Sequence, residues 1–151
     1  MSHISDSIVS QLTKGDLFYF SGISIAVIKP EYRLSFWQMV AKLKLSGVSI
    51  AFDPNYRSRM WDNPEQAKAQ FEQALSMADI ALPGVDDFQQ LYGFENAEEV
   101  YQFCKQYDIN ELVIKNGAEG ILCFLNNQAY QFNIKPVTNV VDTTSAGDSF
   151  N

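Results

Sequence analysis

Three consecutive stretches, "VSIAFDPN" (48–55), "NPEQAKAQFEQALSMA" (63–78) and "DIALPG" (79–84), decide the fold. The first is a short apolar run ended by Pro54 and reads as a buried strand. The second opens with Asn63 as N-cap and Pro64 at the first helical position, and turns Ala67, Phe71, Ala74 and Ala78 to one side. The third is again a short strand. Strand, helix and strand in this order predict a parallel pair joined by a crossover helix, because parallel neighbours cannot be linked by a tight turn.

The same rhythm extends in both directions. Upstream, "DLFYFSGIS" is an apolar run bounded by Gly15 and Gly22, preceded by a polar leader over residues 1–15 with Ile8, Val9 and Leu12 on one face. Pro30 then opens a helix whose stripe is Leu34, Trp37, Ala41 and Leu45, closed by Gly47. Downstream come a short helix "VDDFQQLYG", a helix "NAEEVYQFCKQY" with Asn96 as candidate cap, and a fourth strand "ELVIKNG". After that the pattern changes: "GILCFLN" and "QAYQFNI" flank Asn126-Asn127 and predict a hairpin. Alternation over residues 16–117 therefore predicts an α/β domain, a mostly parallel sheet covered by helices on both faces. Ligands of such sheets bind outside the carboxyl ends of the strands. The candidate residues obey this: Asp53, Asn55 and Arg57 follow the second strand, Pro83 to Asp87 the third, Lys115 to Gly120 the fourth. No internal repeat or interdomain linker interrupts the chain.

Composition sets limits. A hydrophobic share of 46% and a charged share of 19% in 151 residues suit one soluble globular unit with a real core. A net charge of -7 argues against wrapping nucleic acid or lying on an anionic membrane. Cys104 and Cys123 fall in apolar stretches without metal-like spacing and read as free thiols, and His3, the only histidine, sits in the leader. No membrane-length apolar run or signal-like opening is present, so a cytoplasmic location is expected.

The segment richest in chemistry is "DTTSAGD", Asp142 to Asp148. Small residues followed by a helix start would aim the amides of Ala146, Gly147 and Asp148 at one spot and stabilise negative charge there. A carboxylate at the same place, Asp148, can accept a proton from a hydroxyl that attacks phosphorus. "IKNGAEG" (114–120) adds a point charge, Lys115, at a strand end, with Gly117 and Gly120 around a turn. In "FDPNYRSRMW" (52–61), Arg57 can grip a carboxylate or phosphate with two parallel hydrogen bonds. Each of these has an ordinary structural reading too: a capped loop, a glycine turn, a surface arginine.

Taken together, these segments resemble the PfkB, or ribokinase-like, family of carbohydrate kinases. "DTTSAGD" is similar to its signature D-T-x-small-small-G-D at every position, and "KNGAEG" to its [TK]-x-G-x-x-G pattern. Within the family, D-x-N-Y-R is typical of 2-keto-3-deoxygluconate kinases, and "DPNYR" fits it. No Walker-type G-x-x-x-x-G-K-[ST] occurs. The resemblance implies a ribokinase-like three-layer α/β fold, with Asp148 as catalytic base and the amides of Ala146, Gly147 and Asp148 as anion hole. It places Lys115, Gly117, Gly120, Asp142 and Thr143 on the nucleotide side and Arg57 and Asn55 on the sugar acid. Asp87 would act through water on Mg²⁺, in a segment where Gly84 replaces the family's usual asparagine. ATP and Mg²⁺ are the implied cofactors, a small sugar acid the implied partner, and a homo-oligomer the expected state. Residues 1–151 would form one truncated unit, the family's central part without its lid and adenine-binding end, and by itself a poor kinase. A fructokinase or ribokinase specificity, or a non-catalytic oligomeric module, remains the alternative.

Overall fold

The computed structural model describes residues 6–126 and 128–135. The chain runs α1 (Asp6–Leu12), β1 (Leu17–Ser21), α2 (Gly22–Ala26), α3 (Pro30–Leu45), β2 (Ser49–Asp53), α4 (Pro64–Met77), β3 (Ile80–Ala81), α5 (Val85–Tyr92), α6 (Ala97–Cys104), β4 (Glu111–Lys115), β5 (Ile121–Leu125) and β6 (Gln128–Phe132). The strands form one sheet in the order β1-β2-β3-β4-β5-β6, the first four parallel and the last two antiparallel. The predicted parallel core and terminal hairpin are both present, with Asn126 at positive φ in the hairpin turn. No helix among the described residues is long and apolar enough to cross a membrane.

Local chemistry explains most element boundaries. Asn63 Oδ1 accepts from the amide of Gln66 to cap α4, and Asn96 Oδ1 accepts from that of Glu99 to cap α6. Gly93 ends α5 in the left-handed region, as helix ends favour. Helix α2 was not anticipated from the sequence. Ser21 and Ser24 form a capping box that ends β1 abruptly, and Gly22 lets the new helix press on the loop after β2, where a Cβ would collide with the Pro54 carbonyl.

The registers align Phe20, Phe52, Ala81, Leu112 and Phe124 in one row across the sheet, on one face. Helices α3, α4 and α6 land on that row's face. Phe36 of α3 meets Phe20 edge-on at 5.3 Å, Phe71 of α4 meets Phe52 at 5.5 Å, and Tyr101 of α6 stacks on Phe124 at 4.1 Å. The expectation of helices on both faces is therefore corrected for the described residues. Strands added in sequential order by crossovers of one hand put all connecting helices on the same side. On the other face Leu17, Tyr19, Leu125, Tyr130 and Phe132 are exposed.

The stripe expected for α3 is also corrected. Leu34 and Leu45 are exposed, and the buried side is Arg33, Phe36, Met39, Val40 and Leu43. An arginine occupies one of the core-facing positions, which hid the pattern. Arg33 donates Nε–H to the Ile28 carbonyl and lays its guanidinium over the Trp61 ring, so its charge is satisfied while its stem packs. The centre of the core is Phe52, Phe71, Phe88, Ile50 and Leu75, all essentially inaccessible. Truncating a residue so enclosed costs about 3–5 kcal/mol for a phenylalanine.

Candidate active site

The carboxyl ends of β2, β3 and β4 bring the sequence-selected residues together. Asp53 is the last residue of β2 and Lys115 the last of β4, and a parallel bridge joins Lys115 to Gly84 just beyond β3. Lys115 Nζ stands 3.1 Å from Asp53 Oδ2, an ion pair between residues 62 apart in sequence. Tyr19 of β1 donates its hydroxyl to the same oxygen at 3.4 Å. Asp53 is 1% exposed, the most enclosed charged side chain among the described residues.

After β2 the chain turns sharply. Pro54 ends the strand and Asn55, buried, takes a positive φ of 35° that asparagine tolerates better than most residues. The turn buries Tyr56, whose amide donates to Asp87 Oδ1 at 3.1 Å. Arg57 lies just outside, with Nη1 donating to the Tyr56 carbonyl and 3.9 Å from Asp87 Oδ1. A cleft of about 460 Å³ opens beside it, lined by Tyr56, Arg57, Ser58, Arg59, Met60 and Gln90. A larger groove of about 830 Å³ lies elsewhere, between α6, the start of β4 and the hairpin. It contains none of the selected residues, so size alone misdirects.

Asp87 sits in the first turn of α5. Burial pushes its carboxyl up to about 6, and the nearby Asp53 adds to the rise, while Arg57, Lys115 and the Tyr56 amide pull it down. Gly84 bears on its placement, since a Cβ there would come within 3.2 Å of Asp87 Oδ2.

The two glycines after β4 differ. Gly117 has a φ of 52° and open space around it, so its backbone is bare. Gly120, at a φ of 103°, is pressed against the Phe132 carbonyl of β6, and its need for glycine is explained by the hairpin. Asp142, Thr143, Ala146, Gly147 and Asp148 lie outside the described residues. Sequence reading gave roles to Arg57, Asn55, Lys115 and Asp87, placed Asp53 among the strand-end candidates without a role, and did not single out Tyr19. The available signal was an acid ending an otherwise apolar strand, since buried acids need a partner.

These residues suit anion chemistry. Two cations and two carboxylates share a partly desolvated strand end. Among the described residues no three acids, histidines or cysteines gather as a metal cage. One carboxylate is nevertheless enough for Mg²⁺ that arrives on phosphates and keeps its water. The Asp87 carboxylate, largely buried at the strand ends, is compatible with that mode.

A family profile described as "pfkB family carbohydrate kinase" matches residues 2–151. The chain belongs to this family. Among curated relatives, the 2-dehydro-3-deoxygluconokinase of Haemophilus influenzae is 34% identical over 147 residues, covering 95% of this chain and 46% of that protein. That of Dickeya dadantii is 35% identical over 149 residues, covering 97% and 48%. The chain spans about half the length of these curated relatives. Fructokinase from Vibrio cholerae, solved with fructose, ADP and calcium, superposes with a TM-score of 0.77 at 31% identity, over 90% of this chain and 43% of that one. The fold of this pfkB chain is accordingly ribokinase-like α/β, with a mixed six-stranded sheet.

Proposed function

We propose that this pfkB-family chain carries part of an ATP-dependent kinase for 2-keto-3-deoxygluconate, the sugar acid otherwise named 2-dehydro-3-deoxygluconate. One observation carries the reading: Arg57 stands at the strand ends beside Asp87 and the Asp53–Lys115 pair, on a turn fixed by buried Asn55 and Tyr56. The likeness to two 2-dehydro-3-deoxygluconokinases supports the acid over a neutral sugar. Solved family members complexed with an ATP analogue and with ATP and Mg²⁺ support the phosphoryl donor.

In the proposed reaction Arg57 holds the carboxylate of the sugar acid and Asn55 helps orient it. Asp148 takes the proton of the primary hydroxyl as that oxygen bonds to the γ-phosphorus. The bond from γ-phosphorus to the β–γ bridging oxygen breaks, and ADP leaves. Lys115 and the amides of Ala146, Gly147 and Asp148 share the charge that develops on phosphoryl oxygens, with Asp142, Thr143 and Gly117 on the nucleotide side. Mg²⁺, when bound with the nucleotide, neutralises phosphate charge, and Asp87 would hold it through water.

The test follows ADP release from Mg·ATP with 2-keto-3-deoxygluconate, fructose and ribose. It uses the 151-residue chain and a chimera carrying these residues in place of the matching segment of a full-length relative. The chimera should phosphorylate the sugar acid, and the chain alone should do so poorly. Asp148→Asn should lower turnover at least about 100-fold. Arg57→Ala should harm the acid far more than either neutral sugar. Activity confined to fructose or ribose would discard the substrate and keep the mechanism.

A further inference from the structure

The Asp53–Lys115 pair is unlike a staple. It joins β2 to β4 across the end of β3, with Asp53 enclosed and Lys115 at 20% exposure, on the ligand side of the sheet. Burying two charges is costly, and a buried pair is weak evidence of stabilisation by itself. The carboxylate is also braced from a third strand by Tyr19, and its backbone is fixed between β2 and Pro54. A lysine at a strand end has four rotatable bonds, and free in solvent it would meet an anion in many poses. Tied to an immobile carboxylate, its ammonium occupies one place before any ligand arrives. An ammonium carries three donors, so pairing with one carboxylate oxygen is compatible with gripping a phosphate oxygen.

We propose that Asp53 is a positioning residue: it fixes the Lys115 ammonium at the strand ends as a preset anchor for a polyphosphate. This rests on the phosphate role given to Lys115 above, but not on the identity of the sugar. Asp53 touches no reacting atom. Its carboxylate works by removing the search for the right lysine pose, which is the general benefit of preorganisation.

The experiment acylates the amines of the folded 151-residue chain with N-acetoxysuccinimide and reads each lysine by peptide mass spectrometry, with and without inorganic tripolyphosphate. Lys44, paired with Asp79 at the opposite end of the sheet, is the internal control. At saturating tripolyphosphate, Lys115 should acylate about ten-fold more slowly, the protection given by ligand at ten times its dissociation constant. Lys44 should be unchanged. Asp53→Asn should abolish the protection of Lys115 while circular dichroism shows the fold retained, and Asp53→Glu should restore part of it. A merely structural carboxylate predicts a lower melting temperature with protection intact, and that result would overturn the proposal. So would absence of protection in the unmodified chain. Should Asp53→Asn unfold, Tyr19→Phe decides: it keeps the charge pair and removes the brace, and protection should fall at least about two-fold. Unchanged protection there counts against the proposal. Because no sugar is present, failure of the sugar-acid reading leaves this outcome untouched, and the reverse also holds.

Discussion

Two aspartate–lysine pairs sit at opposite ends of the same sheet, and they are built for different ends. At the amino end, Asp79 receives Lys44 at 2.7 Å on one oxygen and the Ile50 amide at 2.8 Å on the other. Its carbonyl accepts from the amides of Asn110 and Glu111, and Lys44 also donates to the Met77 carbonyl at the end of α4. The pair thereby ties together α3, α4, β2 and the entry to β4. Both side chains keep solvent contact, at 40% and 22% exposure. At the carboxyl end, Asp53 is withdrawn from water at 1% exposure while Lys115 keeps 20%, and the pair is accompanied by a second acid, Asp87, and a second cation, Arg57. The first pair completes hydrogen bonds the fold needs. The second gathers charge where desolvation makes it expensive, a cost that binding chemistry can justify and folding alone does not.

The sharpest way to break this comparison is to remove each acid. Asp53→Ala leaves a largely buried lysine without its nearest carboxylate and should cost about 3 kcal/mol. Asp79→Ala leaves the Ile50 amide without its acceptor and should cost about 1–2 kcal/mol. Urea unfolding of both variants decides the order. An Asp79→Ala loss exceeding that of Asp53→Ala would mean the carboxyl-end pair is the weaker structural link.

Asp87 sharpens the contrast through pH. Its folded value of about 6 lies above the ordinary 3.8, so the folded chain holds the proton more tightly than the unfolded one. Below 3.8 both states are protonated and nothing is lost. As pH rises from 3.8 to about 6 the unfolded carboxyl gives up its proton while the buried folded one keeps it, and stability falls across that window. The shift corresponds to about 2–3 kcal/mol withheld at pH 7. Asp87→Asn should therefore stabilise the chain by about 2 kcal/mol at neutral pH and hardly at pH 3.5. Difference curves of unfolding free energy against pH would show it, and a gain independent of pH would contradict it. A site residue whose removal strengthens the fold is the expected mark of the functional end.

Much of this arrangement was legible in the sequence, and the failures have physical causes. Helix α4 was readable because Asn63, Pro64 and the spacing of Ala67, Phe71 and Ala74 all agree on one answer. The inward face of α3 was misread because Arg33 fills a core-facing position through a cation–π contact with Trp61, a residue 28 positions away. Helix coverage on both faces was expected from alternation alone, yet alternation does not encode strand order, and sequential order puts the helices on one side. At the site, Arg57 and Lys115 could be chosen by residue type and place after a strand. The Asp53–Lys115 pair could not, since it depends on which strand ends become neighbours across β3.

The smallest expected effect tests whether the amino-end pair is as ordinary as its exposure suggests. Lys44→Met keeps the aliphatic stem along α3 and removes the charge, so the loss should be about 0.5–1 kcal/mol. In a double-mutant cycle with Asp79→Asn the coupling should be of similar size and should shrink as salt rises, because ions reach a pair this open. The corresponding cycle with Lys115→Met and Asp53→Asn should give a larger coupling that salt barely alters, since water and ions are excluded from Asp53. Equal, equally screened couplings would erase the distinction between the two ends. Unequal ones would locate the molecule's electrostatic strain where its strand ends meet Arg57 and Asp87, and leave Asp79 as the joint that lets the rest of the sheet carry it.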